Sequence, residues 1–73
     1  MIKLTKISGD EFVINDENIQ IIEVIPESKI VMHDGSFYIV RESVDEIIRK
    51  AIEYKARILA FEKDVISKDN REF

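Results

Sequence analysis

The chain has 73 residues, no cysteine, 45% hydrophobic and 36% charged residues, and a formal net charge of −4 at pH 7. That length allows one domain with a small core, and the composition excludes both an intrinsically disordered chain and a membrane-spanning one. Disulfides and thiolate metal sites are unavailable to supplement the core, which fits a reducing compartment.

The first residues carry Lys3 and Lys6 but no continuous apolar run, so no secretory signal is expected and the cytoplasm is the expected location. Basic residues are interleaved with acids, as in Arg49, Lys50, Glu53, Lys55, Arg57, Glu62 and Lys63. A nucleic-acid binder of this size would carry a basic stripe instead.

Residues 1–41 read as strands. Ile2 and Leu4 alternate with Lys3 and Thr5, the pattern of a half-buried strand. Ser8, Gly9 and Asp10 supply turn chemistry before the extended run 11–14, which predicts a first hairpin. Residues 15–18 are a polar break. The β-branched run 19–25 ends at Pro26, which cannot donate to a ladder. A fourth strand follows over 29–32. The Asp34-Gly35 pair between two apolar runs predicts a second tight hairpin leading into 37–41. Five short strands with short connections predict antiparallel pairing, in a strongly bent meander or a small SH3-like barrel.

A single long helix then closes an α+β fold in one domain. Ser43 is a good N-cap, with Glu46 at capping-box spacing and Asp45 and Glu46 in the first turn, where the helix dipole favours acids. No glycine or proline follows, so the helix is expected over 43–66, with 67–73 as a frayed tail.

Val44, Ile47, Ala51, Tyr54, Ile58, Phe61 and Val65 form an a/d seam. Ile48, Ile52, Leu59 and Ile66 run beside it, interrupted by Lys55 and Glu62. A helix of ~23 residues is ~35 Å long. A compact chain of this size has a radius of gyration of about 11 Å. The helix therefore overshoots the sheet that it covers. The expected contact surface for a second copy or another protein is Tyr54, Ile58, Leu59, Phe61, Val65 and Ile66.

Catalytic signals are poor. His33 is the single histidine, beside Asp34 in a predicted turn, and no second histidine or any cysteine is available for a zinc site. The two glycines, Gly9 and Gly35, each belong to a hairpin, so no phosphate loop exists. The acidic pairs at 10–11, 16–17 and 45–46 are explained by solvation, turns and capping, with no cleft for paired-carboxylate hydrolysis. Phe37, Tyr38 and Arg41 on one strand could stack bases, but the acidic balance favours one aromatic in the core and its neighbour outside. No enzyme activity, cofactor or metal is expected.

The order of several local patterns resembles the FlbD family of small flagellar proteins, also called SwrD. Ile2-Lys3-Leu4-Thr5-Lys6-Ile7-Ser8-Gly9-Asp10-Glu11-Phe12 is similar to that family's opening, with Ser8 where asparagine is usual. Glu23-Val24-Ile25-Pro26-Glu27-Ser28-Lys29-Ile30 resembles its central stretch, and 38–47 its strand-to-helix junction. The likeness covers about residues 1–58.

The resemblance implies a non-enzymatic accessory factor of bacterial motor power or swarming. It would act by protein–protein contact with flagellar motor or stator components near the flagellar base. Two alternatives stand beside it. The pattern Tyr38-x-Val40-Arg41-x-Ser43-x-x-Glu46 is also similar to DNA-binding LytTR-type domains, which are longer and carry basic loops missing from this sequence. The other is a purely structural oligomerisation module.

Overall fold

The computed structural model describes the backbone from Met1 to Arg71 and the side-chain surroundings up to Lys63. The fold is α+β: five antiparallel strands in two sheets, then one helix. β1 (Ile2–Thr5) pairs with β2 (Glu11–Ile14). A 3-10 turn (Asp16–Asn18) leads into β3 (Ile19–Val24), β4 (Ser28–Met32) and β5 (Phe37–Val40), which form a three-stranded sheet in that order. The helix α1 spans Val44–Arg71.

Alternation sets which side chains face inward. In the first hairpin the register Ile2–Ile14 and Leu4–Phe12 puts all four residues on one face, while Lys3–Val13 points away. In the second sheet Ile22, Ile30 and Tyr38 are in register on the inner face. The core consists of Ile2, Leu4, Ile14, Ile30, Met32, Val40 and Ile47, with Phe12, Ile19, Ile22, Tyr38 and Tyr54 packed against it.

The two sheets meet at one corner. Lys6 bridges to Val40, Arg41 N–H donates to the Thr5 carbonyl at 2.9 Å and Ile7 N–H to the Ile39 carbonyl at 3.3 Å. β2 and β3 remain outer strands, each hydrogen-bonded to one neighbour. The strands therefore form a bent, open meander and not a closed barrel. α1 packs across the opening, against β1 and β3.

Both hairpin turns use the residues that the sequence offered. Gly9 has φ +101°, and Lys6 and Asp10 close its turn by backbone hydrogen bonds. A Cβ at Gly9 would come no nearer than 3.6 Å to the Arg41 side chain, an ordinary contact. The demand for glycine is thus conformational. Gly9→Ala should destabilise the domain by about 1–2 kcal/mol, and Gly9→Asn by less, read as urea midpoints with an unchanged slope.

Ser43 caps α1. Its Oγ accepts the Glu46 N–H at 3.2 Å and donates to the Glu46 carboxylate at 3.3 Å, while its carbonyl accepts the Ile47 N–H. The helix continues beyond the expected end at 66, because residues 67–71 contain neither glycine nor proline to stop it. Residues 72 and 73 of the expected tail lie outside the described residues.

Candidate functional site

A 28-residue helix is ~42 Å long. The molecule measures 54 × 23 × 19 Å, with a radius of gyration of 15.8 Å, well above the compact value. The excess is helix. Among the described residues, the last core residue is Ile47, and Tyr54 is the last side chain packed against that core.

Beyond Tyr54 the apolar side chains lose their cover. Ile58 is half-buried, Leu59 is 53% exposed and Phe61 is 69% exposed. At 100° per residue, Ile48, Ile52 and Leu59 fall within a narrow arc on one flank. All three are exposed. Lys50, Glu53 and Arg57 lie on the opposite flank, where with Tyr54 they line a shallow depression against Met1, Ile2 and Lys3. The outer surface of the helix is polar, with Arg49 and Glu53 paired at 3.3 Å. Such a pair contributes only about 0.3–0.5 kcal/mol, far less than the ~1.5–3 kcal/mol gained by covering one large apolar side chain.

The expected contact residues therefore separate into groups. Leu59 and Phe61 are open to a partner, and Ile58 is open in part. Tyr54 is directed at the chain's own core, because heptad spacing identifies a helix face without saying what covers it. The side chains of Val65 and Ile66 lie outside the described residues.

A second apolar surface was not expected. Ile21, Val31 and Phe37 are in register across β3, β4 and β5, one residue out of step with the core row, and so face outward. Ile21 and Phe37 are exposed, and Lys29 Nζ stands 4.6 Å from the Phe37 ring centroid. Phe37 is thus the outer aromatic, while Tyr38 stacks at 5.2 Å on Phe12 beside the core. Arg41 is not free for bases either. Its guanidinium donates through Nη2 (2.8 Å) and Nε (3.2 Å) to the Ile7 carbonyl and secures the sheet corner.

One carboxylate has a structural post that the sequence did not announce. Glu42, between β5 and α1, accepts the Thr5 N–H at 2.8 Å on Oε1 and the Thr5 hydroxyl at 2.9 Å on Oε2. Burial pushes its pKa up, but the two Thr5 hydrogen bonds, its own backbone N–H and the Lys50 charge outweigh that and hold it below the ordinary value. In the β4–β5 turn, the Ser36 hydroxyl and then its N–H lower the pKa of Asp34. Among the described residues, no three of His, Cys, Asp or Glu converge to hold a metal.

The site is thus an apolar helix face that stays exposed beyond a small strand domain. The model of a family described as "FlbD: Flagellar and Swarming motility proteins" matches residues 1–59. The chain belongs to this family of flagellar and swarming motility proteins. The match covers the whole strand domain and the helix up to residue 59. No curated protein and no solved structure matches the chain. Among the described residues, no helix is long and apolar enough to cross a membrane.

Proposed function

We propose that this chain is a non-enzymatic accessory protein of bacterial flagellar motility. It self-associates through the far half of α1 and presents its strand domains to motor or stator components on the cytoplasmic side of the flagellar base. The observation that carries this reading is the exposure of Leu59 and Phe61 on a helix whose own core ends at Ile47.

A second copy is the occupant favoured for the helix. The seam repeats every seven residues, and its part beyond Tyr54 is not taken up by the chain's own core, which lets two identical helices interdigitate there. Covering Ile58 and Phe61 on each of two chains buries four large side chains in the seam, with Leu59 on its flank. At ~1.5–3 kcal/mol for a full burial, that is enough to offset the association entropy of a modest dimer.

The test is the double variant Ile58→Glu/Phe61→Glu. Sedimentation should show a shift from oligomer to monomer with the far-ultraviolet strand signal retained, since among the described residues no buried core residue lies beyond Ile47. In a deletion strain, the same variant should fail to restore swimming torque. An oligomeric mass unchanged by the two charges would show the wrong surface. Nanomolar duplex binding with a steep salt dependence would instead place the chain among DNA-binding regulators.

A further inference from the structure

A concavity lies far in sequence from the exposed end of α1. A groove of about 380 Å³ runs between the end of β2, the 3-10 turn and the β4–β5 hairpin. Its floor is apolar: Phe12 and Tyr38, stacked at 5.2 Å, with Ile14 and Met32. Asn18, His33 and Asp34 stand on its rim.

Three features define what it would take. First, among the described residues the Tyr38 hydroxyl, the Asn18 amide and the His33 imidazole make no hydrogen bond within the chain, although each lines the groove. An asparagine amide offers a donor and an acceptor side by side, the complement of a peptide unit. Second, no lysine or arginine lines the groove, so a phosphate or nucleotide would find no counter-charge. Lys6, 5.5 Å from the Phe12 centroid, is not among the lining residues. Third, the rim segments are acidic. Asp34 faces the groove, and Glu17 sits in the 3-10 turn beside Asn18. Asp16 is already paired, to the N-terminal ammonium at 2.8 Å.

We propose that this groove binds a short extended peptide segment of a partner protein, with an aliphatic or proline residue on the Phe12–Tyr38 floor and an adjacent lysine or arginine at the Asp34 rim. The site is independent of helix self-association. It gives the protein two separate interaction surfaces, one for its own copies and one for a partner.

The experiment is selection of a random heptapeptide library on the full chain, followed by amide chemical-shift titration with the enriched consensus peptide. The consensus should carry a basic residue next to an aliphatic or proline residue, and the shifts should centre on Phe12, Ile14, Met32 and Tyr38. Asp34→Asn keeps an acceptor for Ser36 while removing the charge, and Glu17→Lys reverses the charge of the other rim segment. Each should weaken the peptide by about twofold to fivefold, the range of one exposed ion pair. Binding should persist in Ile58→Glu/Phe61→Glu, which separates this site from the helix surface. Failure to enrich any peptide, a consensus without a basic residue, shifts centred on α1, or affinity indifferent to both rim variants would each overturn the proposal.

Discussion

Replacing Ile47 with alanine should destabilise the domain by about 3 kcal/mol, the middle of the range for emptying a fully buried aliphatic site. Ile47 is 1% exposed and, among the described residues, is the only helix residue of the seven buried apolar side chains. It lies where α1 crosses the opening between the sheets, so its side chain couples the helix to both. A domain of this length holds about 4–11 kcal/mol in total, so the loss is a large part of the whole. Thermal unfolding should move down by roughly 12–24 °C. The neighbouring Ile48 is 47% exposed. Alanine there should cost the isolated domain less than about 1 kcal/mol, and any larger effect should appear as weakened association at low concentration. Equal effects on monomer stability at the two positions would contradict the side on which the helix is seated.

This contrast also marks what the sequence made legible. Ile47 and Ile48 are chemically identical neighbours, and periodicity places one on the seam and the other beside it. It cannot say how much of the seam the chain itself covers. That is why Tyr54, assigned to a partner from its heptad position, turns out to pack on its own core.

Strands and turns were readable because their signals are local. Alternation at Ile2 and Leu4, the Gly9 and Gly35 turns, the break at Pro26 and the Ser43 cap each need only a few consecutive residues. The parts that escaped reading join residues far apart. The corner bridge from Lys6 to Val40, the Arg41 grip on the Ile7 carbonyl and the Phe12–Tyr38 groove depend on how two hairpins fold together. No spacing rule reports that. The outward row Ile21–Val31–Phe37 escaped for a related reason. An almost continuous apolar run in β3 does not reveal its inner face until the register with β4 is known.

Glu42 is the clearest such case, and it carries the second large effect. Glu42→Ala should destabilise the domain by about 2 kcal/mol, because it removes two hydrogen bonds to a charged acceptor and leaves the Thr5 N–H without its partner. Glu42→Gln should lose less, since its amide keeps one oxygen for that N–H and the Thr5 hydroxyl can turn to accept from the NH₂.

The pH dependence follows from the direction of the shift. The folded carboxyl titrates below its ordinary value of 4.5. Its contribution is therefore fully present above that ordinary value and is lost as the pH falls through the lower folded value. Urea midpoints of the wild type and Glu42→Ala should differ by a constant amount at neutral pH and converge in acid below the unperturbed glutamate range. Thr5→Val should reproduce only the part due to the hydroxyl. A wild-type advantage that grew on acidification would mean that the carboxylate is a burden in the fold, and that burial outweighs the clamp which fastens the end of β5 to β1 just before α1 begins.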